Sequence, residues 1–449
     1  PEEFFAEQKY APSFISDKRV YHIHRQTKAG DVFFVANPQN TNATVRATFR
    51  ATGKPEFWYA ESGKTRDATQ FTSLNAGTTS VIIPLKPTES VFVVFKRDVK
   101  PADGITEIKK DGVIISTLKE DGTSSAANNI KILSAKYGPP NDAARTIDVK
   151  DKLQKFADEN QNDFSVTEMA KPVDPAYMVV KTLTFEYEIT RPNEKVPVKH
   201  IWKGTDRDTV NFLTFGDEPI AEPVSQGGLA PRITVYQSGE YEVSVVSPAG
   251  LPQIAKQTVQ LPAPQELTGE WNVKFPKKDL IFDQLTLWNE NTDEYIKYFS
   301  GTATYTKTFT LDRQQTEQRE IFWYFLDLGQ CNVIAEVKLN GKDLGTLWTL
   351  SKSVDVTDTL KQGENALEIK VTNLWVNRLI GDAKLPDVPE RNKDNRLDKF
   401  PDWVINGGAI PDGRSTFCMW NLWNGNETPV PSGLIGPVKL VPAKVIEVK

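Results

Sequence analysis

The residues best suited to chemistry gather toward the end of the chain. Trp375-Val376-Asn377-Arg378, then Asp382, then Trp420-Asn421-Leu422-Trp423-Asn424 combine indole rings with amides, a guanidinium and a carboxylate. Sets of this kind hold sugars: C–H faces stack on aromatic rings while amide and charged groups take the hydroxyls. Trp375, Asn377, Arg378, Asp382, Trp420 and Trp423 are therefore the candidate carbohydrate-binding residues. Trp420 and Trp423 are three apart and do not share one strand face, so at least one is expected to point outward. The competing reading is that these tryptophans pack a core or a seam between domains.

Glycoside hydrolysis needs two carboxylates about 5–9.5 Å apart. The chain has 59 Asp and Glu, so pairs arise by chance. Asp382, Asp387, Glu390 and Glu427 sit among aromatics, but solvation or loop hydrogen bonding accounts for them as well, and no catalytic residue is assigned. His22 and His24 fall on one face of a strand, a two-ligand arrangement without a third His or Cys nearby, which argues against zinc. The Asp355–Asp358 loop has the carboxylate density of a structural Ca2+ site, by spacing alone. No cofactor is required, and there is no P-loop, GxGxxG, GxSxG, HExxH or CxxC.

These side chains need a framework, and the composition bounds it. With 449 residues, about three domains are expected. The net charge of −5 leaves no basic excess for phosphates, so nucleic acid is not an expected partner. No run of about 18 apolar residues is present to span a membrane. The two cysteines, Cys331 and Cys418, allow one disulfide or two buried thiols. The chain opens at Pro1 without Met, which suggests a continuation from something longer.

The strand signals are dense. Val20–Arg25, Asp31–Ala36, Thr44–Arg50, Ser80–Leu85 and Ser90–Phe95 alternate with period 2 between turn clusters, the mark of a small sandwich. Val179–Ile189 alternates strongly. Ile233–Tyr236 and Tyr241–Val246 flank Gln237-Ser238-Gly239-Glu240 as a hairpin would. Asp148–Glu159 is expected as a short helix, with Val149, Leu153 and Phe156 on one face. Ile321–Leu328 is so apolar that burial on both faces is expected. Asn340-Gly341, between Ala335–Leu339 and Lys342–Leu344, has the residues of a type I′ turn. The expected fold is all-β: several antiparallel β-sandwich domains, the last a galactose-binding-like jelly roll. The expected divisions are a lead-in over 1–16, a β-sandwich over 17–100, a β-rich accessory domain over 101–264 and the jelly roll over 265–449.

Five blocks give the last region a resemblance. They are Gly301–Phe309, Ala335–Gly345, Val354–Leu360, Gly363–Ile369 and Ser432–Val438, and in this order the region resembles the sugar-binding jelly roll of family 2 glycoside hydrolases. Tyr298–Ala303, Thr372–Asp382 and the Phe417-to-Val438 ending resemble the narrower family 106 α-L-rhamnosidases, as do His22–Arg25, Gly30–Asn37 and Glu89–Phe95 near the start. Asp174-Pro175 with Lys181–Tyr187 looks like an accessory β-module of such enzymes. The resemblance implies an accessory region of an α-L-rhamnosidase-like enzyme acting on plant-type polysaccharide, periplasmic or secreted. Its partners would be carbohydrate and an upstream catalytic barrel of the same protein. In that family the catalytic carboxylates and a calcium site lie on the barrel, and this chain lacks the strand–helix alternation a barrel requires. A free-standing carbohydrate-binding protein is the alternative.

Overall fold

The computed structural model describes residues 12–74, 77–96, 104–118, 129–139, 142–159, 161–177, 179–190, 198–206, 208–212, 221–224, 231–246, 252–311, 322–385, 391–393, 396–408, 410, 413–419 and 423–447. The fold is all-β and its ladders are antiparallel.

Period-2 patterning builds the first unit. Phe14–Ser16, Ala43–Phe49, Thr78–Leu85 and Phe71–Leu74 form one sheet; Tyr21–Gln26, Gly30–Ala36, Ser90–Lys96, Pro55–Trp58 and Thr65–Asp67 form the other. Alternate residues from both, including Phe33, Phe49, Val93 and Phe95, close into one core. His22 stacks on Phe14 and His24 on Phe33. His24 Nε2 also meets Asp31 Oδ1 at 2.9 Å, so it serves as an edge to this core.

The next stretch holds two cores. Strands Gly104–Lys110, Val113–Thr117, Gly239–Val246 and Pro252–Val259 form one sheet. Between them in sequence, Ile147–Asp148, Asn129–Gly138, Thr182–Thr190 and Val198–Thr205 form another. The expected helix is present as Lys150–Asp158, with Leu153 buried and Phe156 against Phe164. The hairpin expected around Gln237–Glu240 is not formed. Arg232–Val235 pairs with Ala221–Val224 and Lys439–Glu447, whereas Gly239–Val246 pairs with Gly104–Lys110 and Pro252–Val259. The turn residues carry the chain between two sheets, in each of which the arm is flanked on both sides by strands other than the opposite arm.

The last core lies between two sheets. One has the order Lys278–Phe282, Trp271–Phe275, Thr302–Thr310, Glu364–Thr372, Ile334–Leu339 and Lys342–Leu347. The other runs Ala221–Val224, Arg232–Val235, Lys439–Glu447, Phe322–Asp327 and Ser353–Asp355. Trp271, Trp288 and Tyr305 are fully buried here, and Trp288 Nε1 donates to the Tyr305 hydroxyl at 2.6 Å, which satisfies a polar atom that burial would otherwise penalise. Strand Phe322–Asp327 is buried on one face only, through Phe322, Tyr324 and Leu326. Trp323 and Phe325 are half-buried, and Tyr236 from the preceding region packs against Phe325 at 5.6 Å.

The Asn340-Gly341 turn forms as expected, with φ of 53° and 81°. Cys331 is buried and Cys418 half-buried; both are free thiols, so the possible disulfide is not made. Burial pushes the Cys331 thiol up to about 11. Among the described residues no helix is long and apolar enough to cross a membrane.

Candidate functional site

The sequence motif beginning at Trp375 opens a helix, Val376–Asp382, at the end of strand Glu364–Thr372. Its placement is fixed from below. Asn373 accepts from the Gly301 amide and donates to the Phe299 carbonyl. Ser300 Oγ donates to the Leu374 carbonyl and accepts from the Arg378 amide. Gly381 presses on Tyr298, where a Cβ would come within 2.7 Å of the ring's own Cβ, so the helix sits closer than any other residue would allow.

The candidate residues divide by exposure. Trp375 is 62% exposed beside the exposed Leu374. Asn377 is wholly buried; its Nδ2 donates to the Val430 carbonyl at 2.8 Å and its Oδ1 accepts from the Val430 amide at 2.7 Å. Asp382 is 1% exposed, and its Oδ2 accepts from the Ser415 and Thr416 amides and the Thr416 hydroxyl at 2.7–2.9 Å. Its Oδ1 lies 2.7 Å from Arg378 Nη2, an ion pair within one helical turn. One short helix therefore ties down two later segments, at 415–416 and at 430–432, through side chains that face inward. Trp423 is half-buried. Trp420 lies outside the described residues, as do Asp387 and Glu390.

The remaining carboxylates are occupied locally. Glu427 Oε1 accepts from the Asn424 amide and side chain. Asp355 Oδ1 is taken by the Thr357 amide and hydroxyl, a turn-closing pattern that competes with a cation. Among the described residues no group of three or more His, Cys, Asp or Glu is arranged to hold a metal. The sequence motif missed Ser300, Ser415 and Thr416, which position the helix and its loop. Hydroxyl residues are common, and only the folded chain brings these to Arg378 and Asp382.

Residues 254–401 match the family described as glycosyl hydrolase 2 galactose-binding domain-like, and residues 3–73 match the alpha-L-rhamnosidase family. A curated relative from Formosa agariphila, named "Putative beta-glucuronidase", is 32% identical over 521 residues, covering 97% of this chain and 44% of that protein. The solved structure of a rhamnosidase from Novosphingobium sp. PP1Y superposes with a TM-score of 0.50 at 20% identity, covering 98% of this chain and 26% of that chain, a likeness of fold. The chain thus spans less than half the length of either relative. It is similar to the alpha-L-rhamnosidase family over residues 3–73 and to the glycosyl hydrolase 2 galactose-binding domain-like family over residues 254–401.

Proposed function

We propose that this chain is a non-catalytic, carbohydrate-contacting region of an α-L-rhamnosidase-like glycoside hydrolase acting on plant-type polysaccharide outside the cytoplasm. In this reading its β-units brace a catalytic barrel, and the Trp375 helix presents a sugar-stacking surface. The observation that carries it is the contrast within the motif: Trp375 is 62% exposed while Asn377 and Asp382, two and seven residues on, are buried anchors. A large indole held outward on so firmly fixed a helix, in a segment matching a galactose-binding-like family, is what stacking on a pyranose face requires. Asn377 and Asp382 then act by position, and Trp375 acts by contact.

The test uses the purified 449-residue chain. It should leave a chromogenic α-L-rhamnoside intact and bind plant oligosaccharides measurably on a glycan array. Trp375→Ala should weaken that binding about tenfold without lowering the melting temperature. Hydrolysis by the chain alone would overturn the non-catalytic assignment; unchanged binding in Trp375→Ala would remove the stacking surface. A free-standing carbohydrate-binding protein is the second reading, favoured by the exposed Trp375 indole that this chain itself carries. It differs in predicting full affinity without any added barrel.

A further inference from the structure

Arg414 stands one residue before the Ser415–Thr416 segment that grips Asp382, so its backbone is fixed against the Val376–Asp382 helix. Its Nε and Nη2 are both buried and, among the described residues, have no hydrogen-bond partner. Among the described residues it forms no ion pair either. Nε and Nη2 are the two nitrogens whose N–H groups lie parallel along one side of the guanidinium. That side meets an oxyanion through two hydrogen bonds at once. A buried guanidinium edge left without acceptors is costly, and a bound water or anion is one of the explanations that relieve the cost.

The charge around it points the same way. Burial lowers the pKa of Arg391, Cys418 opposes this and the nearby Arg414 charge adds to it, while Arg391 Nη1 and Nη2 are spent on the Met419 and Cys418 carbonyls. A second guanidinium beside Arg414 raises the local positive potential without satisfying its open edge. Asp382, which this segment holds, is already engaged by Arg378, Ser415 and Thr416.

We propose that the Nε–Nη2 edge of Arg414 receives the oxyanion substituent of an acidic glycan, either the carboxylate of a uronic acid or a sulfate ester. The proposal rests on the reading of this end of the chain as carbohydrate-contacting, and it narrows the ligand to anionic sugars.

Calorimetric or saturation-transfer titration of the 449-residue chain with D-glucose, D-glucuronate, glucose 6-sulfate and inorganic sulfate, at matched ionic strength, tests it. One acidic sugar should bind about tenfold more tightly than glucose, and Arg414→Gln should erase that excess while leaving the affinity for glucose unchanged. Preference for glucuronate identifies a carboxylate site, and preference for the 6-sulfate a sulfate site. Equal binding of glucose and both acidic sugars overturns the anion site and leaves the sugar-binding reading intact. Binding of inorganic sulfate without any sugar overturns the glycan part of the proposal and the reading beneath it; no binding at all overturns both. If Arg414→Gln fails to fold, Arg414→Lys keeps the charge and removes the two-pronged edge. Retention of the full preference in that variant would count against the proposal.

Discussion

Asp382 illustrates how a carboxylate among aromatics is to be weighed. In sequence it looks like a ligand for hydroxyls or a member of a catalytic pair. In the fold it receives three donors from a segment 33–34 residues away and a guanidinium from its own helix. Removing one partner of a buried ion pair strands the other charge, at a cost of about 3–5 kcal/mol. Asp382→Ala should therefore lower unfolding stability by that order in urea titration, and the Ser415 and Thr416 amides should lose their protection from hydrogen exchange. Loss of sugar binding with stability unchanged would instead make Asp382 a ligand-contacting group. Aromatic and amide composition was enough to single out the Trp375 motif, but its division into an outward indole and inward anchors was not legible. The partners Ser300, Ser415 and Val430 are unremarkable in type and far off in sequence, and Arg414 looks like any surface arginine until its open edge is found buried.

Among the elements, those specified by local chemistry were readable and those specified by distant partners were not. Asn340-Gly341 was readable because a type I′ turn needs two residues that tolerate positive φ. The structure adds a second duty. Asn340 Nδ2 donates to the Thr359 carbonyl and to Asn365 Oδ1, and Asn340 Oδ1 accepts from the Ala366 amide. Asn365, wholly buried, in turn holds the Lys361 and Gly363 carbonyls. An alanine Cβ at Gly341 would meet nothing within 4 Å, so Gly341→Ala should cost only backbone strain, about 1 kcal/mol. Asn340→Ala should cost more, about 2–3 kcal/mol, because it breaks this network as well. Equal melting temperatures for the two variants would deny the network its role. The hairpin expected near Gly239 failed for the opposite reason: its arms carry correct strand patterning, and nothing local says that they belong to different sheets. The Val376–Asp382 helix went unread because seven residues give too little periodicity beside a strong strand signal.

At the scale of the whole molecule, the three regions meet through polar loops and a shared strand. Thr349 Oγ1 reaches Glu61 at 3.4 Å and the Leu350 amide reaches Thr88 Oγ1 at 3.3 Å, while Gln39 Nε2 donates to Thr209 Oγ1 at 2.9 Å. Glu89 lies at this junction. Burial raises its pKa, the Lys86 amide and charge oppose the rise, and Glu222 and Glu61 add to it. A carboxyl held above its unfolded value favours the folded state while protonated, and that contribution is lost as pH rises from the ordinary carboxylate range through the folded value. Glu89→Gln should therefore become progressively more stable relative to the parent as pH increases through that window. Parallel melting curves from pH 4 to 8 would refute the linkage. The shared strand, Lys439–Glu447, lies between Arg232–Val235 and Phe322–Asp327 and also pairs with Gln265–Glu266. Its neighbour at 232–235 leaves the ribosome about 200 residues earlier, roughly 10–40 s at ~5–20 residues per second. Throughout that interval the nascent polypeptide carries a waiting ladder edge, which makes this seam the place where a stalled or prematurely terminated translation product would be most open to chaperone capture or to pairing with another nascent chain.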